Sequence, residues 1–371
     1  MTEPFTHVGL PSRVVLGAGS LDRVADEVGL LGVERVLLIA TRSARDSADL
    51  VERSLGDRFA GRIDEVRQHV PKEMADAARA KAREVGATGI VAIGGGSAIG
   101  LAKAIALTTT NAAEGDGLAA RAGGSTASTA DVGAAGAGLA IVAVPTTYSG
   151  SEMTAVWGET EGGSKTTGTD LRVLPKSVVY DPVLSRQLPL KVTAASVANA
   201  LAHCVEATWT EKADPINDVI AVEAARALRE GLLRVLESSA DLDARSNLLY
   251  GASLAGSAMA SAGTGLHHKL CHLLGGMYNL PHAETHAAVL PQVTRVKAPE
   301  VPRAKARLEE ALQTKDLATG LFDLFSAAGV PTSLRELGLT EEQAAEAAER
   351  FQASTSVDVR EILHRAWAGE R

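Results

Sequence analysis

Three short runs without a polar break constrain this chain most: Val36–Ala40 (VLLIA), 90–93 (IVAI) and 139–144 (LAIVAV). A strand with one wet face alternates polar and apolar residues. One that is apolar throughout is covered on both faces, as in a parallel sheet. Residues 13–17 (RVVLG) read as a further strand and glycine turn. Helical stretches lie between the runs: from Ala44 onward, in KEMADAARAKAREVGA after Pro71, and in GGGSAIGLAKAIAL after the second run. Such alternation predicts an α/β domain with a parallel sheet. After Asp181-Pro182 the strand-like runs cease, and nearly everything from Lys191 to Trp367 has helical spacing. The chain has 371 residues, more than one domain usually holds. The expected division is an α/β domain over 1–185 and an all-helical domain over 186–371.

Charge and composition exclude several function classes. A net charge of −8 argues against nucleic acid or an anionic membrane as the main partner. No run approaches the roughly 20 apolar residues of a membrane helix, and MTEPFTHVGL lacks the basic and apolar regions of a signal peptide. A cytoplasmic enzyme is expected, with Cys204 and Cys271 as reduced, buried thiols. Residues 111–138, rich in Gly, Ala and Ser, have no sustained period and read as a flexible surface excursion.

Gly94-Gly95-Gly96-Ser97 stands between a buried strand and a helix. Glycines there let the backbone approach a pyrophosphate, which the helix N-terminus favours with its N–H groups and dipole. A bare GGGS also serves as a tight turn; its strand–turn–helix setting points to the nucleotide. Thr146, Thr147 and Ser149, in PTTYSGSE after the next strand, suit ribose or phosphate hydrogen bonds. Thr41 and Arg42 follow the VLLIA strand. Lys165 in GGSKTTG suits a phosphate or a carboxylate.

Five of the nine histidines (His267, His268, His272, His282 and His286) fall within 264–292. His268 and His272 are four apart, so on a helix they share a face. Gly275 and Gly276 are expected to loosen that helix, and Pro281 to start a new one with Glu284 in its first turn. Any one histidine is as readily a hydrogen-bonded core residue; five together argue for one pocket. Asn199 and His203, in NALAHCVEA, form another i,i+4 pair. His203, His268 and His282 offer three nitrogens suited to zinc or iron. An aspartate at 199 would complete a hard-cation site, whereas asparagine brings no charge.

GGGS, PTT…GSE, NALAH and H-x3-H-x9-H together resemble the group III, iron-containing alcohol dehydrogenase family over nearly the whole chain. HVPKEMADAARA, VPTTYSGSEMTAVWG, EGGSKTTG, VLPKSVVYDP and GLHHKLCHLLGGMYNLPHAETHAAVLP resemble its maleylacetate-reducing branch more than its metal-dependent ones. TTYSGSEMT is one residue shorter than the common family form. The resemblance implies an N-terminal dinucleotide-binding domain, a helical catalytic domain and a homodimer. In metal-dependent relatives the positions of Asn199, His203, His268 and His282 are ligands, the first an aspartate. Here the resemblance implies catalysis without metal: NADH or NADPH reduces maleylacetate, a dicarboxylate enone, to 3-oxoadipate. His203, His268 and His282 would polarise substrate oxygens, His272 would serve the nicotinamide side, and Lys165 would meet a carboxylate or phosphate. Crowded histidines should not all be protonated at once. A family aspartate that excludes NADPH is replaced by Arg42 or Thr41, so NADPH should be tolerated. Two alternatives stay open: a metal-dependent alcohol or polyol dehydrogenase, and a dehydroquinate-synthase-like lyase.

Overall fold

The computed structural model describes residues 4–108, 138–162 and 164–371. It separates into two compact units, Leu10–Arg186 and Met1–Gly9 with Gln187–Arg371. The 109–137 stretch, with nearly all of the expected excursion, lies outside the described residues.

In the Leu10–Arg186 unit the strands are β1 (Arg13–Leu16), β2 (Val36–Ala40), β3 (Phe59–Ile63), β4 (Gly89–Gly94), β5 (Ala140–Pro145), β6 (Val156–Glu161), β7 (Ser164–Thr169) and β8 (Ser177–Tyr180). Helices α1 (Val24–Leu30), α2 (Arg45–Leu55), α3 (Lys72–Glu84), α4 (Gly96–Thr108) and the short α5 (Pro182–Ser185) complete it. Six strands form one sheet in the order β1-β8-β5-β4-β2-β3, and each neighbouring pair is parallel. Every residue of β2 and β4 is buried. Leu37, Ile39, Ile90 and Ala92 pack with α3 and α4 through Ala75, Ala78, Leu101 and Ile105. The alternate residues Val36, Leu38, Val91 and Ile93 pack with α1 and α2 through Val24, Val28, Ala48 and Val51. Two covered faces are the reason these strands read as unbroken apolar runs.

The structure adds strands that the apolar pattern does not announce. β3 is an edge strand, partly buried along its length, whose Arg62 pairs with Asp49 and Asp64. β6 and β7 form a separate antiparallel pair rich in Thr, Gly and charge. That hairpin is held from outside: Lys72 meets Glu161, Arg79 meets Glu159, and Thr160 donates its N–H to the Val70 carbonyl at 3.0 Å. Trp157 lies where a Cβ on Gly168 would meet it at 2.8 Å, so glycine is required there.

The second unit has no strand among its described residues. Its helices are α6 (Leu190–Ala207), α7 (Pro215–Glu237), α8 (Leu242–Ala262), α9 (Leu266–Tyr278), α10 (His282–Lys297), α11 (Pro302–Ala311), α12 (Leu317–Ala327), α13 (Glu341–Gln352) and α14 (Val359–Ala368). Side chains of Asp214, Asp241, Asp316, Thr340 and Asp358 accept N–H groups at the starts of five of them. From Thr193 to Ala207 every residue of α6 is buried, which makes it the central helix of the unit. Gly275 and Gly276 do not loosen α9, contrary to expectation: the helix runs on to Tyr278 and ends at Asn279 in the left-handed region. Flanking packing by Leu270, Cys271, Leu274 and Leu280 outweighs the weak helix propensity of two glycines. α10 starts after Pro281 with Glu284 in its first turn, as expected. Among the described residues no helix is long and apolar enough to cross a membrane.

Candidate functional site

Each unit carries its own group of candidate residues. In the first, three chain turns gather at the C-terminal ends of β2, β4 and β5. The register pairs Ala40 with Ile93 and Gly94 with Pro145, so Thr41, Gly95 and Thr146 leave the sheet side by side. Thr41 donates its N–H to the Ile93 carbonyl at 3.2 Å, and Thr146 donates to Gly94 at 3.0 Å. The chain places β3 on one side of β2 and then β4 on the other, so the turns after β2 and β4 flank a switch in strand order. Ligands of open α/β sheets bind at such points.

Of the three glycines, Gly94 is required sterically, and the next two sit close to their neighbours. Gly94 has φ 151°, and a Cβ there would lie 2.7 Å from Thr41 Cγ2. A Cβ on Gly95 would meet Thr147 at 3.1 Å, and one on Gly96 would meet Ser149 Oγ at 3.4 Å. Bare backbone, two hydroxyl residues and the N-terminus of the 13-residue α4 thus form a half-buried cradle suited to a pyrophosphate. Ser97 lies in the first turn of α4. Arg42 is exposed beside Thr41. Lys165 pairs with Thr160 across the β6–β7 hairpin; its side chain lies outside the described residues.

The cradle is braced from below by residues that sequence reasoning left unassigned. Lys103 on α4 is fully buried, and its ammonium donates to the carbonyls of Ser151, Thr154 and Val156 at 2.7–2.9 Å. Glu152 is also fully buried and accepts from the Tyr180 hydroxyl at 2.8 Å. Burial raises the Glu152 carboxyl above its ordinary value, against the pull of its hydrogen bonds and of Lys103. The available signal was a lysine inside the apolar run GLAKAIAL.

In the second unit, six imidazoles from three helices form one continuous cluster. His203 of α6 stacks on His268 of α9, with ring centroids 5.1 Å apart. His268 in turn has His267, His272 and His286 at 5.2, 6.2 and 4.6 Å. On α10, His282 lies 4.4 Å from His286 and stacks with His272 at 6.0 Å. All four histidines assigned from sequence are therefore brought together, along with His267 and His286. Exposure grades through the cluster: His272 and His282 are exposed, while His203 and His268 are buried and His267 and His286 have no exposed surface.

Helical spacing explains the convergence. Asn199, His203 and Glu206 follow at i, i+4 and i+7 on one face of α6. Glu206, absent from the expected site, is 1% exposed. Its Oε1 accepts the His267 backbone N–H at 2.7 Å, and its Oε2 lies 2.5 Å from His268 Nδ1. Burial acts to raise this carboxyl, but the His268 charge and hydrogen bond, His267 and the Gly265 N–H outweigh it and hold it at about 2. Burial and neighbouring rings hold His203 and His286 well below the ordinary imidazole value. His267 falls to about 4, mainly through burial and against the pull of Glu206. At these three rings burial and neighbouring charge disfavour protonation, the effect behind the expectation that crowded histidines are not all protonated at once. Among the described residues, buried His203 Nδ1 and His268 Nε2 have no hydrogen-bond partner.

The donor chemistry bears on a metal. Asn199, 5% exposed, brings no charge to the position. Among the described residues, trios of His, Cys, Asp or Glu whose donor atoms lie within 4.8 Å of one another are Glu206–His267–His268 and His267–Cys271–His286. His203, His268 and His282 do not draw together that closely. The Glu206 carboxylate is already engaged at the Nδ1 side of His268.

Residues 11–182 match the family described as iron-containing alcohol dehydrogenase, and residues 193–362 match the Fe-containing alcohol dehydrogenase family, C-terminal. The chain is 40% identical over 374 residues to a maleylacetate reductase from Delftia acidovorans, covering 99% of this chain and 98% of that one. A solved maleylacetate reductase from Agrobacterium tumefaciens is 36% identical, with a TM-score of 0.88 and all of both chains covered. An iron-containing alcohol dehydrogenase from Corynebacterium glutamicum is 39% identical, with a TM-score of 0.87 and coverage of 100% and 99%.

Proposed function

This chain belongs to the iron-containing alcohol dehydrogenase family, and from that premise we propose that it is an oxidoreductase that reduces maleylacetate to 3-oxoadipate. The single observation that carries the reading is the imidazole cluster on α6, α9 and α10, with asparagine where a carboxylate ligand would stand. The alcohol-oxidising chemistry of a bound iron calls for an anionic, convergent donor set. Imidazole nitrogens of His203, His268 and His282 that are not drawn within 4.8 Å of one another, beside an uncharged asparagine, do not fit that ion.

The glycine cradle fits a dinucleotide, and Gly94, Gly95, Gly96, Ser97, Thr146, Thr147 and Ser149 would hold it, with Thr41 and Arg42 toward the ribose. Reduced nicotinamide, when bound there, supplies the hydride for the substrate's carbon–carbon double bond. The protein must then hold two carboxylates, stabilise negative charge on the enone oxygen and deliver one proton to carbon. His203, His268 and His282 polarise the oxygens, and His272 serves the nicotinamide side and assists the proton. Lys165 meets a substrate carboxylate or a phosphate. Arg42 tolerates a 2′-phosphate, so both NADH and NADPH serve. The enzyme acts as a homodimer.

The test follows oxidation of NADH and NADPH by chelator-treated enzyme, with maleylacetate set against simple aldehydes and ketones. Full activity on maleylacetate is expected. Activity on alcohols or aldehydes alone, lost with chelator and restored by Zn²⁺ or Fe²⁺, would overturn the reading.

A further inference from the structure

We propose that Glu206 is a positioning residue: it keeps the Nδ1 of His268 protonated, so that proton exchange with the substrate runs through Nε2. The inference deepens the reductase reading above and rests on it.

Glu206 is buried in the last turn of α6, and both its oxygens are used. Oε1 accepts from the His267 backbone N–H, a group that can only donate. Oε2 faces His268 Nδ1 at 2.5 Å. An ionised carboxylate can only accept, so the proton between them resides on Nδ1. Gly265 contributes to this fit, because a Cβ there would come 3.0 Å from Glu206 Oε1. The consequence appears across the ring: His268 Nε2 is buried and has no partner among the described residues, the state expected of a nitrogen reserved for a ligand.

His267 and His286 do not share this arrangement. His267 Nε2 is 3.2 Å from the His286 carbonyl, which fixes its proton there. Among the described residues, neither ring nitrogen of His286 has a hydrogen-bond partner. Among the hydrogen bonds of the described cluster, His268 has the carboxylate counter-ion. A proton carried on Nε2 is the one given to the substrate, with Glu206 facing the opposite side of the ring. Once that proton moves to the substrate carbon, the N–H bond at Nε2 is broken, a C–H bond is formed, and the ring stays as the Nδ1–H tautomer.

Glu206→Gln tests this with little change of shape. Glutamine has one acceptor oxygen, which the His267 N–H claims; its amide NH₂ then faces His268 and drives the ring proton to Nε2. The expected result is a switch of His268 from the Nδ1–H to the Nε2–H pattern in ¹⁵N spectra of histidine-labelled enzyme in mildly alkaline buffer. The kcat should fall roughly 10³-fold, as when the orienting carboxylate of a catalytic histidine is lost. KM for the reduced nucleotide should stay within about two-fold, since the loss falls on the chemical step. Glu206→Asp, which keeps the carboxylate, should recover part of the rate. Wild-type kcat in Glu206→Gln, or an Nε2–H pattern at His268 in the wild type, would overturn the proposal. The wild-type spectrum decides the tautomer even if Glu206→Gln does not fold. It also separates the two ideas: a wild type inactive on maleylacetate sinks the reductase reading, while the spectrum still reports on Glu206.

Discussion

His203 and His268 stack nearly face to face, with 5.1 Å between ring centroids and 24° between planes. Two positive rings at that spacing would repel by on the order of 3 kcal/mol at an effective dielectric constant of about 20. Burial penalises the charge on His203 further. His268, by contrast, has Glu206 against its other side. The pair is therefore arranged as one neutral ring and one ring with a counter-ion, a combination suited to binding an oxygen and moving a proton.

Removing either His268 or His282 should disable the reaction more than nucleotide binding. Turnover of maleylacetate by His268→Ala and His282→Ala is expected to fall by roughly 10²- to 10⁴-fold, the usual range for a lost acid–base group. Binding of NADH, followed by its fluorescence, should persist. Wild-type rates in both variants would remove these roles.

Asn199→Asp probes the missing ligand. A carboxylate on α6, one turn before His203, adds the anionic donor that the site lacks. Calorimetry with Zn²⁺ or Fe²⁺ should register binding that the parent does not show. Equal metal affinity in variant and parent would mean that the charge at this position is not decisive.

The cradle predicts a separable nucleotide defect. Gly95→Val would push its side chain into Thr147, where even a Cβ is at 3.1 Å. KM for NADH should rise at least about tenfold, by loss of one to two kcal/mol of binding. An unchanged KM would exclude the GGGS turn as the pyrophosphate site.

Arg42→Ala should weaken NADPH and spare NADH, because only the former has a 2′-phosphate for the guanidinium to meet. A loss of about tenfold in kcat/KM with NADPH corresponds to one charge-assisted hydrogen bond. Equal losses with both nucleotides would assign Arg42 a different role.

Stability should fall as the medium turns acidic. In the unfolded chain the rings of His203, His267 and His286 return to about 6.5, whereas the folded values lie below it, at about 4 for His267. Within that window the unfolded state binds more protons, so stability rises with pH and is lost as pH drops from 6.5 toward 4. Each ring contributes at most about 1.4 kcal/mol per pH unit. Glu206 acts in the same direction in a lower window, from 4.5 down to about 2. Urea unfolding between about pH 7 and about pH 5 should show the histidine slope, and His286→Leu should flatten it by up to one proton. A flat profile in the wild type would mean that the buried rings do not lose their charge on folding.

The fold was legible where the cause is local. VLLIA, IVAI and LAIVAV are strands β2, β4 and β5 because both faces of the sheet are covered, and burial on two sides leaves its mark on each residue. β3 and the β6–β7 hairpin were not legible, since FAGRI and SKTTGT lack that mark. They are held by partners elsewhere in the chain, such as Asp49 for Arg62 and Lys72 for Glu161. Gly275 and Gly276 misled for the converse reason: their local propensity is weak, but α9 is packed through Leu270, Leu274 and Leu280.

By itself the sequence determined the parallel sheet, the helical second half, the glycine turn and the facing i,i+4 pairs. These follow from periodicity and backbone sterics over a few residues. Only tertiary structure decided that α6 carries Glu206 to His268 across 62 positions, and that His267 and His286 close the buried end of the cluster. A lone acid in NALAHCVEA has no partner until three helices pack, because hydrogen bonds and burial are properties of proximity in space, which spacing along a chain does not encode.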